Sequence, residues 1–80
     1  MKKYINKSGD IIKFKSKMSK KDIEKEFNCN IESYYDGGFL FHIAYAKNDN
    51  CCFESASGWN LKELLEDIEE NLYEGYEEFS

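Results

Sequence analysis

The sequence has no proline and no arginine, one histidine, one tryptophan and three cysteines. Each shortage narrows what the chain can be. Without arginine it lacks the side chain best suited to bidentate contacts with phosphates and base edges, which counts against direct nucleic-acid recognition. No cysteines stand in a C-x-x-C spacing, and an odd cysteine count without a signal peptide fits a reducing, cytoplasmic setting better than a disulfide framework. No apolar run is long enough to cross a membrane, so no membrane partner is expected. With no proline and no stretch poor in apolar residues, a long disordered tail is not expected either. Eighty residues then make one domain, 1–80, with a modest core.

Aromatic residues and polarised charge stand out instead. Six Phe, six Tyr and one Trp are many for this length, and large rings help a small core hold together. The net charge of −5 conceals an asymmetry: residues 1–27 carry nine Lys against four acids, and residues 28–80 carry two Lys against twelve acids. A chain so polarised is steered by charged partners.

The clearest pattern lies near the C-terminus. Leu61, Leu64, Leu65, Ile68 and Leu72 fall at helical spacing and predict a long amphipathic helix over 61–74. Asn60 is placed to cap it, Glu63 to complete a capping box, Trp59 to fold onto Leu64 as a hydrophobic staple, and Gly75 to end it in a left-handed conformation. Its opposite face is acidic: Glu63, Glu66, Asp67, Glu69, Glu70 and Glu74 against Lys62. Upstream, Ser19 and Asp22 form a second capping-box pattern before a short helix over 20–27, which Asn28 can end. Tyr4-Ile5 and 11–15 read as an N-terminal strand or hairpin. Three further strands are expected at 31–35, 39–47 and 51–57, with Asp36-Gly37-Gly38 and Asn48-Asp49-Asn50 as turns. The second of these, apolar at both odd and even positions, reads as the central strand. The expected fold is α+β, a three-stranded antiparallel β-meander flanked by a short N-terminal helix and a long acidic C-terminal helix, with an additional N-terminal strand or hairpin.

Candidate chemistry is sparse. Cys29, Cys51, Cys52 and His42 are residue types that bind zinc, but adjacent Cys51 and Cys52 on one strand point to opposite faces. They read as buried reduced thiols, and no cofactor or metal is expected. A nucleophile at Cys51 or Cys52 with His42 and a carboxylate from Asp36, Asp49 or Glu54 has no spacing that specifies it, so no enzyme is expected. Lys13, Lys15 and Lys17 share one strand face and read as lysines that guard a sheet edge, against the alternative of a nucleic-acid contact. The acidic helix face reads either as a solvated surface or as a docking ridge. Like charges at i, i+3 and i+4 cost stability, which favours a use for them.

Two resemblances accompany these residues. Gly37-Gly38-Phe39-Leu40 followed by Gly58-Trp59-Asn60-Leu61-Lys62-Glu63-Leu64 resembles the hairpin and helix start of the HicB family of antitoxins, although Asn60 and Leu64 stand where that family carries Thr and Ala. That resemblance implies neutralisation of a small ribonuclease toxin. The α-β-β-β-α order and acidic surface of residues 20–74 resemble phage-encoded anti-CRISPR proteins, which implies occupation of a nucleic-acid site in a CRISPR effector. The double-stranded RNA-binding domain shares this order, but Glu63, Glu66 and Asp67 stand where lysines would meet phosphates. The expectation is therefore an acidic inhibitor that docks on a basic, nucleic-acid-handling protein and makes no direct nucleic-acid contact through its C-terminal half. Glu63, Glu66, Asp67, Glu70, Glu74, Glu77 and Glu78 would supply charge, with Trp59, Tyr73 and Tyr76 as anchors.

Overall fold

A computed structural model describes residues 1–79, which form six strands and two helices. The chain begins with a hairpin, β1 (Lys2–Ile5) and β2 (Ile11–Phe14), with Ile5 opposite Ile11. The Asn6 side-chain oxygen holds the connection by accepting from the backbone N–H groups of Ser8 (3.0 Å) and Asp10 (2.9 Å).

Helix α1 (Lys20–Phe27) starts where Ser19 and Asp22 cap each other's backbone, at 3.1 and 3.2 Å. It ends at Asn28, whose φ of 54° is left-handed. Its two buried residues, Ile23 and Phe27, lie one turn apart and enter the core. The chain continues into β3 (Cys29–Asp36), β4 (Phe39–Ala46) and β5 (Ser55–Gly58), an antiparallel sheet in that order with β4 at its centre. Helix α2 (Leu61–Glu70) follows. A last strand, β6 (Glu77–Phe79), returns to pair antiparallel with β1 and builds a second three-stranded sheet, β2-β1-β6.

The architecture is α+β, but the expected single meander with a long acidic C-terminal helix is not what forms. There are two sheets, and α2 stops at Glu70. Three causes combine at its end. No basic residue occupies the last turn, so another turn would add Glu74 to Glu69 and Glu70 at the negative end of the helix dipole. Asn71 caps instead, its side-chain amide donating to the Asp67 carbonyl at 2.7 Å. Leu72, the last residue of the apolar stripe, reaches the core through a bridge to Phe53, and the Tyr73 N–H donates to the Cys52 carbonyl at 2.9 Å. Gly75 is left-handed (φ 101°), but it turns the chain toward β6 rather than closing the helix. The strand expected over 51–57 is likewise shortened to Ser55–Gly58, because Phe53 is committed to the bridge with Leu72.

One core serves both sheets. Ile12 and Phe14 enter it from the first sheet, Ala44 and Ala56 from the second, Ile23 and Phe27 from α1, and Leu64, Leu65 and Ile68 from α2, with Phe53 wholly enclosed. The Phe14 and Phe27 rings, 4.7 Å apart, join the first sheet to α1. Gly58 fixes how closely α2 approaches its sheet: a Cβ there would lie 2.5 Å from the Leu64 amide nitrogen and 2.8 Å from the Glu63 carbonyl carbon. Those are backbone atoms and cannot rotate aside. Gly58→Ala is therefore expected to lower unfolding free energy by about 1–3 kcal/mol, read as a fall in the urea midpoint at unchanged m-value.

Candidate protein-interaction surface

Strand alternation divides the β3-β4-β5 sheet into two faces. The inner face carries Cys29, Ser33, His42, Ala44, Ala56 and Gly58. Against it pack α1, with Ile23 and Phe27 in the core, and α2, whose first turn meets Gly58. On the outer face the register sets Tyr34 opposite Phe41, Glu32 opposite Ile43, Asn30 opposite Tyr45, and Ser57 and Ser55 beside Ile43 and Tyr45. Neither helix covers this face. The strand apolar on both sides, expected to be central, is the central strand β4, with one core face and one open face.

Aromatic rings form a row across the open face. Tyr34 and Phe41 meet edge-on with centroids 5.9 Å apart, and Phe41 and Trp59 do the same at 4.6 Å. Tyr34 and Trp59 each remain 47% exposed. At the hairpin tip, beyond the core, Phe39 on the same face is 72% exposed, and Tyr35 on the opposite face is 77% exposed. Exposed apolar surface in a contiguous patch marks an interaction site far more often than scattered exposed residues do. Trp59 reaches this row because it precedes the N-cap of α2. There Asn60 accepts from the Glu63 N–H at 2.8 Å, and Glu63 reaches back to the Trp59 N–H at 3.3 Å, one residue further than a capping box on Asn60 requires. Trp59 packs edge-on against Phe41, where the staple pattern had placed it on Leu64.

Carboxylates border the row. Glu32 and Asp36 flank Tyr34 on β3, with Glu32 accepting from the Tyr45 hydroxyl at 3.2 Å. Glu63 and Asp67 lie one turn apart on the side of α2 toward the sheet. A groove of about 440 Å³ connects Phe41, Ile43 and Ser57 to Asp67 and Asn71. The Asp67 carboxylate is held in place there by the Ser57 N–H, at 2.8 Å.

The remaining acids are dispersed. Glu66 and Glu70 line a depression of about 510 Å³ on the other side of α2, shared with Lys2, Lys15 and Lys62. Glu69 accepts from Lys2 at 3.1 Å and from the Tyr4 hydroxyl; that bond, with burial, pushes Tyr4 up to about 12. Glu74 lies exposed in the turn after α2, and Glu77 and Glu78 lie on β6, where Glu78 pairs with Tyr4 of β1. Of the three proposed ring anchors, Trp59 stands in the aromatic row. Tyr73 is exposed beyond α2. Tyr76 is half-buried, its hydroxyl accepting from Asn6 at 3.2 Å. The acids over 62–78 thus occupy three regions. Sequence periodicity did not single out Tyr34, Phe39 and Phe41 as surface residues, because an aromatic on a strand reads as core until the layer above it is known.

The cysteine and histidine groups lie apart in the hydrogen-bond network. His42 is buried, and its Nδ1 lies 2.6 Å from the Ser33 Oγ on the paired strand. Cys51 donates to the Phe27 carbonyl at 3.1 Å, and Cys29 approaches the Ile23 carbonyl at 3.7 Å. Burial pushes the Cys29 and Cys52 thiols up to about 12. Cys51 and Cys52 line a cleft of about 630 Å³ with Asp10, Glu26, Asp49 and Tyr76. Among the described residues no group of three or more His, Cys, Asp or Glu side chains is placed to hold a metal ion. Among the described residues no helix is long and apolar enough to cross a membrane. Comparison with protein-family models, with curated proteins and with solved structures yields no match.

Two outcomes follow from these environments. The Cys29 and Cys52 thiols should stay unreactive toward a disulfide reagent at about pH 8 until denaturant is added, because a thiol held far above that pH presents almost no thiolate. Burial, aided by the Lys20 ammonium, holds His42 below its ordinary 6.5. The unfolded chain therefore takes up this proton first as pH falls. The contribution of His42 to stability is whole above pH 6.5 and is lost as pH drops through the folded value. Thermal melts across this range should show a shallower acid-side decline for His42→Gln than for the wild type.

Proposed function

We propose that this chain is a protein-binding inhibitor that lays the open face of β3-β4-β5 on a basic surface of a nucleic-acid-handling protein and excludes its nucleic acid. The observation that carries this reading is the Tyr34-Phe41-Trp59 row, with exposed Tyr34 and Trp59 on either side of half-buried Phe41, on an uncovered sheet face and bordered by Glu32, Asp36, Glu63 and Asp67. Tyrosine and tryptophan in such a setting make strong interface anchors, since they bury much area at little entropic loss. Nucleic-acid-binding sheets also present aromatic rows, on which bases stack, but they pair them with basic grooves. Carboxylates at these positions repel phosphate and attract Lys and Arg, so the same row suits a protein that is itself basic. A CRISPR effector and a toxin-like ribonuclease are two partner classes with such a surface. The acids nearest the row, Glu63 and Asp67, steer the encounter, and Glu66, Glu70, Glu74, Glu77 and Glu78 add to the long-range negative field.

The combined Phe41→Ala and Trp59→Ala variant should retain its circular dichroism spectrum. It should lose at least about 30-fold in affinity for the partner captured from the native host, equivalent to about 2 kcal/mol at a hot spot. Wild-type binding should weaken steeply as salt is raised and should displace nucleic acid from the partner. Undiminished affinity in the double variant, or a gel shift of nucleic acid by this chain alone, would sink the proposal.

A further inference from the structure

Two open three-stranded sheets have four outer strands, and three of them are short. β2 and β5 have four residues each and β6 has three, and β2 and β5 each have an N–H taken by a helix carboxylate: Lys13 by Glu26 at 3.1 Å and Ser57 by Asp67 at 2.8 Å. β3 differs. It has eight residues, and Glu24 of α1 takes the Ile31 N–H at 2.8 Å. Because Ile31 donates away from β4, the strand's two-residue alternation aims the N–H and C=O of Ser33 and Tyr35 outward as well. Among the described residues no group meets them. An unpaired edge of this length is a template for another strand.

We propose that the Ser33–Tyr35 edge of β3 captures an extended segment of a basic protein by strand addition. The charge pattern selects the occupant. On the outer face Glu32, Tyr34 and Asp36 alternate with the edge groups. An added strand in either direction therefore sets its own alternate residues opposite acid, ring and acid. The complementary segment is basic-x-apolar-x-basic, with Lys or Arg at both ends and an aliphatic or aromatic residue between. A second copy of this chain is a poor occupant. Antiparallel self-pairing that joins Ser33 to the partner copy's Tyr35 sets Glu32 against the second copy's Asp36, carboxylate facing carboxylate. Glu32 already accepts from Tyr45, and its remaining lone pairs are free for an incoming ammonium. The backbone bonds supply affinity without sequence preference, and the two carboxylates supply the preference.

The basic character of the occupant rests on the function proposed above, but the test reads two amides and not inhibition. The probe is the synthetic peptide acetyl-Lys-Thr-Phe-Thr-Lys-amide, titrated into the full chain with NMR hydrogen exchange at Ser33 and Tyr35. Binding with protection of both amides, and about tenfold weaker binding of the acidic analogue with Glu at both ends, is the expected result. Tyr35→Pro removes one outward donor while leaving the β3-β4 ladder intact, and should weaken the peptide about tenfold or more. Joint reversal at Glu32→Lys and Asp36→Lys should transfer the preference to the acidic analogue. Equal binding by Tyr35→Pro, or binding without protection of the two amides, overturns the proposal. Protection of both amides in the free protein with a dimer in sedimentation also overturns it, in favour of a second copy. Peptide capture without displacement of any nucleic acid leaves the edge assignment intact and counts against the inhibitory function alone.

Discussion

Three backbone N–H groups on three outer strands donate to carboxylates on the two helices: Lys13 to Glu26, Ile31 to Glu24 and Ser57 to Asp67. This solves a problem peculiar to a small chain. Two three-stranded sheets have four outer strands against two central ones, and an N–H left dry at a part-buried seam, as at Ile31 or Ser57, costs about 1–3 kcal/mol. A carboxylate accepting that bond closes the seam and ties helix to sheet at once. α1 shows the arrangement most fully. Ile23 and Phe27 anchor it in the core, while Glu24 reaches β3 and Glu26 reaches β2, so this helix of eight residues joins the two sheets. α2 repeats the device, with Asp67 on β5 and Glu69 on Lys2 and Tyr4 of the first sheet.

With these seams closed, the exposed surfaces stand out as exceptions. The outer face of β3-β4-β5 has no layer over it, and the distal edge of β3 lies beyond the reach of Glu24. Both carry aromatic residues and are bordered by acids, whereas β2 carries Lys13, with Lys15 and Lys17 beyond its end at Phe14. A surface that is apolar, acidic-rimmed and hydrogen-bond-ready suits a basic protein that supplies cations, apolar side chains and a strand. The two proposals describe neighbouring parts of one region: the row gives area and anchors, and the edge gives backbone bonds and register.

Acidic residues in this chain consequently divide by task. A count of charge over 62–78 suggests one continuous ridge. In the structure Asp67 and Glu69 are committed to backbone and lysine partners, Glu66 and Glu70 sit among Lys2, Lys15 and Lys62, and Glu63 caps its own helix. Glu32 and Asp36, four apart on β3 with Tyr34 between them on the same face, flank an exposed ring from outside that run.

Local signals in the sequence settled local structure. Ser19 and Asp22 with Asn28 delimit α1, Asn60 with Leu61, Leu64, Leu65 and Ile68 specifies α2, and Gly37-Gly38 places the hairpin, because caps, turns and helical stripes act within a few residues. The α+β class followed from these. Tertiary structure decided what depends on distant partners. The bridge from Leu72 to Phe53 and the acidic end of α2 stop a helix whose stripe runs further. Pairing of residues 77–79 with β1 creates a second sheet that the tail alone does not announce. Which face of β4 is core and which is open turned on where α1 and α2 came to rest. Alternation tells that Phe41 and His42 point opposite ways, but only the packing of a layer tells which of them meets water.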